Sequence, residues 1–213
     1  AVYTGGVVSF GVSNAAENVS ETQYAFEFTY QPTITLDHAI PSLVPTNGRK
    51  SIEVAGAAFD LSSNVTCVYK LFDETKSFFD EKKAIVISEE KLECFLPDVT
   101  DLSINSLLLR ASINGILHED SGIRLSLYKP IEIIRIFPPL GDVRGGTIVS
   151  VLIKQNAFPS SVNAVCSFGA DNIQPALKFT GSKITCKAPA GAVSSITLGV
   201  SINGIDFHYS KLP

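Results

Sequence analysis

The stretches VCSFG at residues 165–169, ITCKAP at 184–189 and VSING at 200–204 decide how this chain folds. Apolar residues alternate with polar or small ones around each cysteine, which is the pattern of a half-buried β-strand. The third stretch ends in Asn203-Gly204, and Asn-Gly is the strongest short-range signal for a two-residue hairpin turn. The sequence therefore predicts two cysteine-bearing strands followed by a third strand that ends in a tight turn.

The same three pieces occur in the same order earlier in the chain, as VTCVY at 65–69, LECFLP at 92–97 and ASING at 111–115. The first cysteines are 99 residues apart (166 − 67), the second cysteines 92 (186 − 94) and the asparagines 89 (203 − 114). This period fits one small β domain and exceeds the roughly 20 to 50 residues of solenoid repeats. We therefore predict a tandem array whose units each own a core.

The array divides into three parts. Residues 1–30 resemble the last strands of a preceding, truncated unit, because VSFGVSN at 8–14 is similar to ITLGVSIN at 196–203 and YAFEFTY at 24–30 alternates as a strand does. Complete units are predicted at 31–129 and 130–213. The joints YQP at 30–32 and YKP at 128–130 are short, and proline restricts the residue before it. A semi-rigid rod follows from such joints.

The composition of the chain limits the classes of partner. A hydrophobic content of 45% with 18% charged residues is typical of a folded protein. The net charge of −4 argues against a nucleic-acid partner, since phosphate binding requires clustered Lys and Arg. No apolar run reaches 18 residues, so no membrane span is predicted in this segment. Nor does the amino terminus show the pattern of a signal peptide.

The four cysteines are predicted to form one disulfide in each unit, Cys67 with Cys94 and Cys166 with Cys186. Four cysteines allow three pairings, and the repeat selects this one. Disulfides persist in oxidising compartments, so the predicted location is extracellular or at the cell surface. Two N-glycosylation sequons agree with that location and make an N-linked glycan an expected partner; their asparagines are Asn18 and Asn64.

Together these motifs resemble the IPT/TIG family, the immunoglobulin-like domains of plexins and some transcription factors. In the second unit the matching residues are Ile136-Phe137-Pro138-Pro139, Gly145-Gly146-Thr147, Phe158, the two cysteine motifs with Pro189, and Asn203-Gly204. In the first unit they are Pro45, Gly48, Gly56, Phe59, Cys67, Cys94, Pro97 and Asn114-Gly115. The first unit departs from the pattern at Asn47-Gly48-Arg49-Lys50, which stands in place of Gly-Gly-Thr, and by a charged insertion.

The resemblance implies an all-β fold of immunoglobulin-like two-sheet sandwiches strung end to end. The two-cysteine version is typical of the extracellular members. The transcription-factor branch of the family, whose members contact DNA, fits poorly with paired cysteines and an acidic charge. The fold class alone assigns no function.

The insertion DETKSFFDEKK at 73–83 is the most charged stretch of the chain. We predict a solvated loop there. The alternative is a partner-binding loop that exposes Phe78 and Phe79.

No residue pattern supports an enzyme, and we predict no catalytic, cofactor-binding or metal-binding residues. His38, His118 and His208 each lie near a turn or strand end without a nucleophile and acid at a known motif spacing. The acidic residues after the first Asn-Gly turn, Glu119 and Asp120, are expected to be solvated.

The leading hypothesis is a non-enzymatic extracellular structural or adhesion segment that acts as a semi-rigid spacer and contacts protein partners, including copies of itself in a filament. A plexin-like receptor stalk is the first alternative. The second is a carbohydrate-binding accessory module of a secreted enzyme, although the chain has no Trp for a glycan platform.

Overall fold

The structure is a computed structural model that describes residues 6–11, 25–30, 33–61, 63–72, 77–99, 104–154, 158 and 162–210; within this set, side chains are not described at 6–11, 25–29, 71, 72, 77, 78 and 117–121. The described residues form eighteen strands and no helix. The strands are β1 Gly6–Gly11, β2 Ala25–Tyr30, β3 Thr35–Ile40, β4 Leu43–Pro45, β5 Ser51–Ala57, β6 Val65–Phe72, β7 Ser77–Lys83, β8 Ile85–Ser88, β9 Lys91–Phe95, β10 Ser106–Ile113, β11 Ile116–Tyr128, β12 Ile133–Phe137, β13 Ile148–Ile153, β14 Val165–Phe168, β15 Ile173–Phe179, β16 Lys183–Lys187, β17 Leu198–Ser201 and β18 His208–Tyr209.

The first sandwich packs a four-stranded sheet, β3-β5-β9-β8, against a five-stranded sheet, β4-β11-β10-β6-β7. Burial alternates along its strands as the sequence pattern predicts. Ile52 and Val54 of β5 are buried, as are Leu107 and Leu109 of β10, whereas their sequence neighbours are partly exposed. This period of two places one face of each sheet in a shared core. Ahead of the first sandwich, β1 and β2 pair antiparallel in a two-stranded sheet.

The second sandwich is one hydrogen-bonded series of strands in the order β12-β13-β16-β15-β14-β17-β18. The strand β15 changes partner halfway along its length. Its first half pairs with β14 and its second half pairs with β16, with an irregularity between Ala176 and Lys178. Such a switching strand lets one series of strands fold over as two layers around a core. The buried residues of that core include Val151, Ile184 and Val200.

One disulfide links the layers of each sandwich. Cys67 on β6 is bonded to Cys94 on β9, with 5.8 Å between their Cα atoms, and joins the five-stranded to the four-stranded sheet. Cys166 on β14 is bonded to Cys186 on β16, with 6.3 Å between their Cα atoms. This is the pairing that the internal repeat predicts, and all four side chains are buried.

The two Asn-Gly dipeptides adopt different turns. In the first sandwich Ile113 pairs with Ile116, and Asn114 and Gly115 have φ of 51° and 83°, as a two-residue hairpin of type I′ requires. In the second sandwich the predicted tight turn is wrong, because β17 ends at Ser201 and β18 begins only at His208. The side chain of Asn203 holds this longer loop together, as described below.

The solvated loop predicted at residues 73–83 is also wrong over most of its length. Ser77–Lys83 forms β7, which pairs with β6 from Phe72↔Ser77 to Thr66↔Lys83 and lies at the end of the five-stranded sheet. The local charge density misled the prediction, since an edge strand exposes alternate side chains and tolerates charge. Residues 73–76 lie outside the described residues.

Candidate functional site

Side-chain hydrogen bonds join residues 157 and 160 positions apart at the junction between the two sandwiches. The junction is built from the β4 region and Arg49 of the first sandwich, and from the loop between β17 and β18 of the second. Arg49 donates from Nε to both carboxylate oxygens of Asp206, at 2.8 and 2.9 Å. The side chains are 21% and 17% exposed, so water screens this ion pair only in part. Nη1 of Arg49 also donates to the carbonyl oxygen of Ser51 at 3.2 Å, which fixes the guanidinium relative to β5.

Asn203 organises the loop that presents Asp206. Its Oδ1 accepts from the backbone N–H groups of Ile205 at 3.0 Å and Asp206 at 2.8 Å. Its Nδ2 donates to Oδ2 of Asp206 at 2.7 Å and, across the junction, to the carbonyl oxygen of Leu43 at 2.8 Å. One amide side chain thus shapes the loop, positions the carboxylate for Arg49 and bonds to the first sandwich.

An aromatic contact lies on the same junction. The hydroxyl oxygen of Tyr128 is 3.4 Å from Nε2 of His208, and the two rings meet edge to face with their centroids 6.0 Å apart. Burial raises the pKa of Tyr128 well above its usual value; Asp206 adds to the rise and Arg49 opposes it. Burial lowers the pKa of His208, and Asp206 opposes that change. A protonated tyrosine and a neutral imidazole with its proton on Nδ1 form a matched donor and acceptor.

Apolar packing joins the same surfaces. Leu43 and Tyr128 belong to the first sandwich by strand pairing, but both pack in the core cluster of the second, with Ile131 and Ile202. Tyr128 is 2% exposed. An open groove of about 270 Å³ runs beside this contact, lined from one side by residues 39–43 and from the other by Asn163, Ile202, Asn203 and Ile205.

Within the described residues, the side-chain contact of His208 at the junction is with Tyr128 and not with a serine or cysteine of the kind that hydrolases pair with histidine. Among the described side chains, no group of three or more His, Cys, Asp and Glu could hold a metal ion. His38 lies exposed on β3, His208 belongs to the junction, and the side chain of His118 is outside the described set. No helix in the described ranges is long and apolar enough to span a membrane.

The other predicted site residues are distributed over the surface. Asn64 is exposed just before β6, and its backbone N–H donates to Oδ1 of Asn114 at 3.1 Å. Asn18 lies outside the described residues. Phe79 is 58% exposed on the edge strand β7, and its ring lies 5.6 Å from Nζ of Lys70. The side chain of Phe78 is not described, although its backbone pairs with Leu71.

Reasoning from the sequence alone missed the junction residues. Arg49 belongs to the stretch Asn47-Gly48-Arg49-Lys50, which stands in place of the Gly-Gly-Thr that the resemblance expected, and that departure was the available signal. Asn203 was interpreted as a turn residue because the Asn-Gly dipeptide has that strong local preference. No local pattern marked Asp206, which lies 157 residues from its partner.

No protein-family model matches the chain, and no curated protein sequence matches it. Among solved structures, the plexin A4 extracellular region, domains 1 to 10, aligns with 96% of this chain and 17% of its own length, at 16% identity and a TM-score of 0.48. A second plexin A4 structure, with domains 1 to 8, aligns with 84% of this chain and 18% of its own, at 18% identity and a TM-score of 0.41. Murine CEACAM1b aligns with 84% of this chain and 96% of its own, at 11% identity and a TM-score of 0.29. The chain therefore spans less than a fifth of the plexin chains. The assignment of immunoglobulin-like sandwiches rests on the strand pairing described above.

Proposed function

We propose that this chain is a non-enzymatic segment of an extracellular or cell-surface protein, acting as a semi-rigid spacer that presents protein-contact surfaces at a fixed interval. In this proposal it is made of IPT/TIG-type domains at residues 31–129 and 130–213, with the last strands of a preceding domain at 1–30. The observation that supports the proposal is the junction, where an ion pair, a hydrogen bond and apolar packing join the two sandwiches.

The contacts at the junction oppose both bending and twisting. Three contacts join the second sandwich to different points of the first: the ion pair of Arg49 with Asp206, the hydrogen bond from Asn203 to the carbonyl oxygen of Leu43, and the ring contact of Tyr128 with His208. A rotation that preserves one of them strains the others. Breaking a shielded ion pair also leaves a partly buried charge without its partner, which costs more than losing an exposed pair. Domain motion is the default where interfaces are small and polar, and these contacts restrict it.

The proposed extracellular location is supported by the two disulfides, since cytosolic thiols are kept reduced. The exposed Asn64 sequon offers an attachment site for an N-linked glycan in the same environment. The disulfides also favour a long-lived structural role, because cross-links stabilise small domains with modest cores.

The protein-contact surface that we propose is the edge of the first sandwich. The strand β7 ends the five-stranded sheet, β8 ends the four-stranded sheet, and the two are separated only by Ala84. Phe79 is 58% exposed there, Ile85 48% and Ile87 52%. An edge strand with exposed apolar side chains can accept a strand from a partner or from a second copy of the chain, as filament formation requires.

Spin labels can test the proposed rigidity. Labels introduced as non-natural amino acids at the exposed positions Glu89 and Asp171 leave the cysteines untouched and report the distance between the sandwiches. We expect a single narrow distance distribution by electron–electron double resonance, and a broader one in the double variant Arg49→Ala, Asn203→Ala. The control is Arg144→Ala, which removes an exposed pair with Asp142 away from the junction and should leave the distribution narrow. A broad distribution in the unmodified chain would refute the spacer function.

A further inference from the structure

The outer surface of the second sandwich carries a group of cations that the spacer function does not use. Along β16, Ile184 and Cys186 face the core, so Lys183 and Lys187 project from the opposite face. Lys178 of β15 lies directly opposite Thr185, and Arg135 of β12 lies opposite Leu152, which in turn pairs with Lys183. Residues paired in this way share a face. We call the surface formed by Arg135, Lys178, Lys183 and Lys187 the cationic face.

No carboxylate compensates these four cations among the described residues. The ion pairs there engage other cations: Arg49 with Asp206, Lys82 with Asp80, Lys91 with Glu53, Arg144 with Asp142, and Lys154 with Glu132. Within the cationic face, the guanidinium of Arg135 lies 5.8 Å from the ring centroid of Phe137. Residues 130–213 contain seven Lys and Arg against four Asp and Glu, a net +3 in a chain of net −4.

The fold does not require this charge, because the corresponding face of the first sandwich is different. There the row that runs across the sheet is Ile40, Glu53, Glu93 and Ile85. In the second sandwich the matching row is Phe137, Ser150, Thr185 and Lys178. Two carboxylates of the first face are thus replaced by hydroxyl side chains, and an isoleucine is replaced by a lysine. Lys91 of the first sandwich occupies the position of Lys183 and is paired with Glu53, whereas Ser150 stands at the place of Glu53 in the second sandwich, so Lys183 has no such carboxylate beside it.

The spacing of the cations suits a polymer better than a small anion. With about 3.4 Å per residue along a strand and about 4.8 Å between strands, Lys183 and Lys187 are roughly 14 Å apart, and Lys178 projects from the neighbouring strand between them. A single phosphate or carboxylate cannot span this array. An extended chain that carries a charge at each repeat can contact three or four of the cations at once.

From this geometry we propose that the cationic face binds an anionic polysaccharide, with carboxylate or sulfate groups on successive sugars. Lysine is depleted in the centres of protein–protein interfaces, so a surface with three unpaired lysines is a poor candidate for a protein partner. The disulfides favour an extracellular polyanion over a nucleic acid. This binding site goes beyond the spacer function and does not depend on the junction.

Binding of the full chain to immobilised dextran sulfate tests the proposal, with neutral dextran as the blank. We expect the triple variant Lys178→Ser, Lys183→Ser, Lys187→Ser to bind about tenfold or more weakly at near-physiological salt. For this variant, the slope of log K against log salt should be shallower by roughly two, because each of the three lost cation contacts removes about 0.7 from the slope on a single-stranded polyanion. The matched control is Lys82→Ser, Lys91→Ser, Lys154→Ser, which removes the same net charge from lysines that already have carboxylate partners.

The outcomes separate the possible explanations. Equal losses in the two triple variants would show that binding follows net charge, and would overturn the site. No binding of dextran sulfate by the unmodified chain would overturn it as well. Tighter binding of a DNA duplex than of dextran sulfate would identify the ligand as a nucleic acid. Tighter binding of poly-glutamate would identify it as an acidic protein, and either result would overturn the polysaccharide. Because all six lysines are at the surface, circular dichroism and non-reducing mass analysis should show intact folding and disulfides in both variants.

Discussion

Replacing Arg49 by alanine is the most direct perturbation of the junction. Arg49 and Asp206 are four-fifths shielded from solvent, and Nε lies 2.8 and 2.9 Å from the two carboxylate oxygens. Without the guanidinium, Asp206 retains the amide of Asn203 at 2.7 Å but loses its counter-charge. Exposed pairs contribute about 0 to 1 kcal/mol, and breaking fully buried ones costs about 3 to 5 kcal/mol. For this intermediate burial we expect a loss of about 1 to 3 kcal/mol in the free energy of unfolding.

A double-mutant cycle isolates the interaction between the two side chains. Arg49→Ala, Asp206→Ala and the double variant are unfolded in urea with disulfides intact, and the unfolding is followed by far-ultraviolet circular dichroism. We expect a coupling energy of about 1 to 2 kcal/mol, because residues in direct contact are not additive. Arg49→Lys should fall between wild type and alanine, since an ammonium group cannot reproduce the planar donor set that also reaches Ser51.

Additive effects of the two substitutions would refute the reasoning. A coupling energy near zero means that the ion pair does not hold the sandwiches together, whatever its geometry. Arg144→Ala serves as the control, because Arg144 is 87% exposed and its loss should leave the urea midpoint unchanged.

Three further perturbations test other parts of the molecule. Burial lowers the pKa of His208, so the folded state binds fewer protons than the unfolded state. Stability, measured as the urea midpoint, should therefore fall as the pH drops below about 6.5, the unperturbed pKa of histidine. His208→Gln should weaken this dependence of the urea midpoint on pH, and an unchanged dependence would contradict the reasoning. Replacing Cys166 and Cys186 together by serine should lower the free energy of unfolding by roughly 3 kcal/mol, because the disulfide closes a loop of 20 residues. A loss of stability smaller than that of an exposed control substitution would show that the disulfide adds little. If the edge at β7 supports self-association, Phe79→Glu should lower the association constant measured by sedimentation velocity. The control Leu61→Glu, at a position 67% exposed outside the strands, should leave it unchanged, and equal effects would argue against self-association through this edge.

The sequence by itself determined the repeat, the disulfide pairing and most of the strands, although not β7. These features follow from local rules: alternation with a period of two marks a strand, and two copies of one pattern show which cysteines are equivalent. Cys67 and Cys166 could therefore be placed on corresponding strands without coordinates. The hairpin at Asn114-Gly115 was predicted for the same reason, because a two-residue turn is set by the residues within it.

The tertiary structure alone decided the junction, the edge strand and the cationic face. Asn203-Gly204 has the same local sequence as Asn114-Gly115. Yet the side-chain amide of Asn203 donates to the carbonyl oxygen of Leu43, 160 residues away, and a longer loop stands in place of the two-residue turn. Within the charged stretch, Ser77–Lys83 became β7 because β6 offered each of these residues a partner. Lys178 and Lys183 become neighbours of one surface only through strand pairing. Contacts between distant residues depend on how whole layers are placed, and no local periodicity encodes that placement.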